Sequence, residues 1–221
     1  MNTDLRQATS EFCPVLTELL RTRRAVGRTG RVYNGLAALS TVNNLQTIRC
    51  LMHELRPLRT LEIGLSFGGS ALVFCASHKE LCRPPEGQHT ALDPHQATVW
   101  DSCGLMAVER AGLMSYLDFR AAYSAFELPR LVEQGAQIDL VYVDGSHLFE
   151  DVFVDAYYVA RLLAPGGWFY SMTVRIRTLR RSCDFCTRTS AEDWRSSILV
   201  LQRGSKTASN TASLGWLGGY S

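Results

Sequence analysis

"LVYVDGSHLFEDVFVDAYYVARLLAPGG", residues 140–167, decides how the rest of the chain is read. Ile138 and Leu140–Val143 form a short apolar run, the pattern of a parallel strand covered on both faces. It ends in Asp144, Gly145, Ser146 and His147. Beyond it, Phe149, Val152, Phe153, Ala156, Ala160 and Leu163 recur at helical spacing and predict one apolar helix face. Glu150 and Asp151 stand in the first turn, where acids complement the helix dipole. Pro165-Gly166-Gly167 stops the helix, and "WFYS", 168–171, opens another strand. Strand, helix and strand in this order predict a crossover between parallel strands.

Upstream the same alternation repeats. "RTLEIG" (59–64) reads as a strand, "SALVFCASH" (70–78) as a helix and "HTALDP" (89–94) as a strand stopped by Pro94. "AVERAGL" closes a helix at Gly112, "YLDFRAA" (116–122) is a strand, and "AFELPRLVEQG" is a helix ending at Gly135. Five such strands predict an α/β fold: a doubly wound, mostly parallel Rossmann-like sheet with helices on both faces. Before it, Leu16, Leu19 and Leu20, and then Leu45, Ile48, Leu51, Met52 and Leu55, repeat at helical spacing around a loop at Gly27–Arg31. The organisation expected is an N-terminal helical segment (1–40), the Rossmann-like domain (41–171) and a tail of different character (172–221).

Composition narrows the function. A formal charge of +2 over 221 residues argues for neither a nucleic-acid nor a membrane partner. No apolar run is long enough to span a bilayer, and the N-terminus lacks a basic segment followed by an apolar one. Seven cysteines without framework spacing fit a reducing compartment, so a cytoplasmic protein is expected. A small-molecule substrate is the expected partner, and a homodimer stays open.

Ligands of open α/β sheets gather at the carboxyl ends of the strands, which singles out Glu62–Ser70, Asp93, Tyr123 with Ser124, and Asp144–His147. In "EIGLSFGGS" the glycines Gly64, Gly68 and Gly69 allow a tight turn ahead of a helix N-terminus. Their spacing is not the G-x-G-x-x-G of dinucleotide binders, which counts against a nicotinamide cofactor. Glu62 suits a ligand with an ammonium group. Asp93 can accept both hydroxyls of a ribose or can be a plain loop acid. His147 can serve as a general base or cap the next helix.

These stretches, "LEIGLSFGGSAL", "HTALDPHQ", "VERAGL" and residues 140–167, resemble the class I S-adenosylmethionine-dependent methyltransferases. The nearer likeness is to small-molecule O-methyltransferases of the macrocin and methyltransferase 24 type. The resemblance implies that Glu62, Gly64, Ser66, Gly68, Gly69 and Ser70 surround the methionine part of S-adenosyl-L-methionine. It implies further that Asp93 holds the ribose, that Ser124 lies near the adenine, and that Asp144 faces the transfer centre with His147 beside it. In metal-dependent members the equivalent of Asp144 joins an acidic pair after the fifth strand to bind a divalent cation such as magnesium. Here Met172 and Thr173 occupy that place, which leaves Asp144 as a single ligand.

The genetic code offers a reason. Codons for Trp168–Thr173 read one base early are compatible with valine, valine, leucine, phenylalanine, aspartate and aspartate, so a frame slip at the G-rich Gly166–Trp168 tract would hide the pair. The arginines Arg175, Arg177, Arg180, Arg181, Arg188 and Arg195 would then be accidental, and so would Cys183-x-x-Cys186, which has no second pair for zinc. "SILVLQR" (197–203) speaks the other way, because it reads as a genuine late strand.

Overall fold

In the computed structural model, residues 12–171 are described, together with the backbone of 199–202. Met172, Thr173, the arginine cluster and Cys183 and Cys186 lie outside the described residues. Two compact units are present: residues 1–56 with 65–122, and residues 57–64 with 123–221.

The first unit begins with α1 (Pro14–Thr22), whose proline sits at the helix start, where its missing N–H costs nothing. Leu16 and Leu19 are its buried face. The expected Gly27–Arg31 loop is the turn of a hairpin, β1 (Arg24–Val26) against β2 (Val32–Asn34). Three-residue strands are too short to show a period-2 pattern, so the segment before residue 40 is not helical throughout. Helix α2 (Val42–Leu55) is capped by Thr41, whose side chain accepts from Asn44 N–H. Helix α3 (Gly69–Glu80) is buried along almost its whole length. Strands β4 (His89–Leu92) and β5 (Leu117–Arg120) pair in parallel, with α4 (Cys103–Arg110) between them in sequence.

The second unit holds β3 (Thr60–Ile63), parallel to β6 (Ile138–Val143), which is parallel to β7 (Leu163–Ser171). Helix α5 (Ser124–Glu133) precedes β6, and α6 (Phe149–Leu162) joins β6 to β7. β7 starts earlier than the sequence suggests: it includes Pro165–Gly167, and the register with β6 shifts between Ile138 and Leu140 to absorb them. The late strand forms as expected, β8 (Leu199–Gln202), antiparallel to β7.

The face of α6 differs from expectation. Its buried residues are Val152, Asp155, Val159 and Leu162. Phe149, Phe153 and Tyr157 are exposed at 81%, 63% and 47%. Both stripes have helical spacing, and periodicity alone cannot tell which of two overlapping apolar faces meets the sheet. No helix among the described residues is long and apolar enough to cross a membrane.

Candidate functional site

In the first unit, the turn between β3 and α3 is organised by side chains from the β4–α4 connection. Asp93, buried at the end of β4, accepts the Ser66 N–H on Oδ2 at 2.9 Å and the His95 N–H on Oδ1 at 2.7 Å. Gln96 Nε2 donates to the Ser66 carbonyl at 2.7 Å and to Asp93 Oδ2 at 2.9 Å. Ser66 is held at φ 46°, a left-handed conformation that a non-glycine residue seldom adopts. Gly68 follows at φ 80°, and a Cβ there would lie 2.8 Å from the Gly104 carbonyl oxygen. The glycine is thus required by backbone packing within the protein. A Cβ on Gly69 would collide with Leu39. Ser70 is buried in the first turn of α3.

α3 starts without a side-chain cap and without an acid in its first turn. Its amide end therefore keeps its positive character for an anion. Ser66 Oγ is buried and makes no hydrogen bond among the described residues. A buried hydroxyl and an uncapped helix start together suit the carboxylate and ammonium of an amino-acid group.

The same connection also clasps the hairpin. Asp101 accepts the Thr29 N–H at 3.0 Å and the Thr29 hydroxyl at 2.7 Å, and these donors hold its carboxyl below the usual range. The Tyr33 hydroxyl donates to the Val99 carbonyl at 2.8 Å. Phe67, inside the glycine turn, stands edge-on to both Tyr33 and Trp100, with centroids 5.5 Å and 5.1 Å away. Sequence reasoning did not find Gln96, Trp100 or Phe67. The available signal was "DPHQATVWD" itself, a polar and aromatic run directly after a strand end.

In the second unit, Glu62 is fully buried on β3. Gly64 continues that strand at φ 97°, and a Cβ on it would come within 2.5 Å of the Asp144 carbonyl oxygen. Asp144 N–H donates to the Ile63 carbonyl at 3.0 Å, and the Tyr142 hydroxyl donates to Asp144 Oδ2 at 2.9 Å. The ends of β3 and β6 thus lie side by side, with the Asp144 carboxylate steadied by a phenol. His147 is exposed and does not cap α6: the cap position is Leu148, which has no polar side chain, and Glu150 and Asp151 complement the helix start instead. Ser124 opens α5, and its side chain hydrogen-bonds Asp155 on α6. Asp155 is 1% exposed, and burial raises its carboxyl to about 6.

Among the described residues no group of three or more His, Cys, Asp or Glu side chains comes together as a metal site. A hard divalent cation needs several oxygen ligands, so the described residues do not fit one.

Against known proteins, the profile of a methyltransferase-domain family matches residues 61–170. The fold is similar to that of the O-methyltransferase TomG from Streptomyces achromogenes, involved in tomaymycin synthesis and solved with S-adenosylmethionine. The two share 19% identity over 62% of this chain and 57% of TomG, with a TM-score of 0.53. It is also similar to an O-methyltransferase from Bacillus cereus solved with S-adenosylhomocysteine, at 16% identity over 76% of this chain and 72% of that one, with a TM-score of 0.56. No curated protein sequence matches the chain. The matched part spans a little over half the length of TomG.

Strands, helices and the matched profile define a methyltransferase domain with a mostly parallel, Rossmann-like sheet. Within that class, the chain belongs to the methyltransferase-domain family matched over residues 61–170.

Proposed function

We propose that this protein transfers a methyl group from S-adenosyl-L-methionine to a hydroxyl of a small molecule. The observation that carries the reading is the Ser66 turn: a buried hydroxyl ahead of an uncapped helix start, braced by Asp93 within a matched methyltransferase domain. When bound, the cofactor supplies an electrophilic methyl group on a sulfonium. The protein's task is then to align donor and acceptor in line and to manage one proton.

In this reading Ser66 Oγ and the first amides of α3, from Gly69 and Ser70, receive the amino-acid end of the cofactor. Glu62 contributes negative charge toward its ammonium, and Gly64 and Gly68 keep the backbone compact there. Asp93 reaches the ribose with the lone pairs its internal bonds leave over, and Ser124, oriented by Asp155, lies beside the adenine. Asp144, oriented by Tyr142, faces the acceptor, and exposed His147 takes the hydroxyl proton. The five described cysteines, Cys13, Cys50, Cys75, Cys82 and Cys103, are all free thiols, which supports the proposed cytoplasmic setting.

Calorimetric titration with S-adenosylhomocysteine tests the reading, and absence of binding overturns it. A second reading, a cofactor-binding fold without catalysis, is favoured by Met172 and Thr173 in place of an acidic pair. The family match ends at residue 170, just ahead of them. A methyl-transfer assay with and without magnesium separates the two: turnover unaffected by chelation supports the metal-independent enzyme, and no turnover in either condition supports the relic. The frame slip proposed for the same place is tested by sequencing codons 166–174. If no frame one base away encodes two aspartates, that proposal is gone.

A further inference from the structure

Asp93 has less freedom than a ribose ligand would want. Both of its oxygens already accept hydrogen bonds from the protein, from Ser66 N–H, His95 N–H and Gln96 Nε2. Gln96 makes this arrangement rigid. Its Nε2 has two hydrogens, and both are engaged, one by the Ser66 carbonyl at 2.7 Å and one by Asp93 Oδ2 at 2.9 Å. Both partners are acceptors, so the amide has one orientation. The side chain is 2% exposed, and its Oε1 is buried with no hydrogen-bond partner among the described residues. Leaving that oxygen unsatisfied costs free energy. Holding Ser66 in a left-handed conformation adds backbone strain.

A side chain kept at such cost, bonded to both the acid and the strained turn, is not simple filling. The geometry points to Gln96 as the positioning residue of the cofactor turn: it clamps the Ser66 peptide onto Asp93, so the turn is set before a ligand arrives. The inference rests on the reading that residues 64–70 and Asp93 receive the cofactor. Preorganisation of this kind improves affinity by removing the cost of ordering the loop on binding.

Substitution with glutamate distinguishes clamping from space-filling. In Gln96→Glu the shape is kept, but an oxygen replaces Nε2 opposite Asp93 Oδ2. Two ionised carboxylates at that distance repel, and a protonated one has a single hydrogen where the amide has two, so as the pH falls the variant regains one of the two bonds but not both. In Gln96→Ala the clamp is lost at every pH. Affinity for S-adenosylhomocysteine is measured by calorimetry between pH 5.5 and 8.5 for the full chain and both variants. Hydrogen exchange of the 64–70 backbone is measured without ligand, each variant against the parent at the same pH.

The expected result at pH 8 is at least tenfold weaker binding and faster exchange of 64–70 in both variants. At pH 5.5, affinity and protection return in part in Gln96→Glu but not in Gln96→Ala. Parent-like affinity and exchange for Gln96→Glu at pH 8 overturns the inference, and so does a deficit with no pH dependence. If the parent chain itself fails to bind S-adenosylhomocysteine, the cofactor reading falls. The exchange of ligand-free Gln96→Ala still decides the clamp: unchanged protection of 64–70 refutes it.

Discussion

The two units each end a strand in an acid, and they hold that acid in opposite ways. In the first, Asp93 is surrounded by donors, and the loop behind it is tied a second time to the hairpin through Asp101 and Val99. In the second, the Asp144 carboxylate accepts from the Tyr142 phenol, and the chain then runs through exposed His147 and Leu148 into a helix with three exposed aromatics. On the proposed function, the first end suits a cofactor that is the same in every turnover, and the second, which leads into an exposed segment, suits an acceptor that must enter and leave. Local stability scales with such tethers, and that makes the contrast measurable.

The largest effect is expected where backbones meet. Gly64→Ala places a methyl group against the Asp144 carbonyl at a φ that alanine tolerates poorly. It should destabilise the fold by about 3 kcal/mol through strain and overpacking, as read from urea unfolding. A cost under about 1 kcal/mol would mean that the β3 and β6 ends separate easily. Asp93→Ala removes the acceptor of three hydrogen bonds. It should cost about 2 kcal/mol of stability and weaken S-adenosylhomocysteine binding, whereas Asp144→Ala should lower turnover with little change in stability. If Asp144→Ala proves the more destabilising of the two, the contrast between the units fails.

The units should also respond oppositely to pH. His78 in the first unit is buried, and desolvation, with His89 and Arg83 nearby, pushes it down to about 3. Unfolding restores its ordinary value, so between those two values the unfolded state binds more protons. This contribution is intact above pH 6.5 and is lost below it, by about 1.4 kcal/mol at pH 5.5. Asp155 in the second unit is raised to about 6 by burial, against a Ser124 bond that lowers it. The folded state there binds the extra proton, so its penalty is absent near pH 4 and complete above pH 6. Asp155→Asn should therefore stabilise the protein by about 1 kcal/mol more at pH 8 than at pH 5; a gain equal at both pH values would contradict the shift. The smallest effect is expected at Phe153→Ser on the exposed stripe, within about 0.5 kcal/mol of the parent. A larger loss, dependent on protein concentration, would show that a second copy of the chain covers the stripe.

Much of the fold was legible because its strands are short apolar runs closed by Gly, Pro or Asp, with helix-length stretches between them. Glu62, Gly64, Asp93 and Asp144 could be singled out for the same reason: strand ends are visible in sequence, and α/β sheets bind ligands there. The hairpin at 24–34 was not legible, because two three-residue strands carry no period and are held by Asp101, far along the chain. The face of α6 was misjudged because Phe149 and Phe153 look like core until the sheet chooses Val152, Asp155 and Val159 instead.

The sequence by itself determined the order of strands and helices, the places where the chain turns, and which turns carry acids. All of these follow from local spacing and from the conformations that glycine and proline allow. Only the tertiary structure decided what those residues do for one another. Gly68 makes room for Gly104, Asp93 with Gln96 holds Ser66, Asp101 fastens a hairpin, and of the two roles open to His147 the helix cap falls away. Such bonds join residues tens of positions apart, and their geometry exists only once the strands have set the distances.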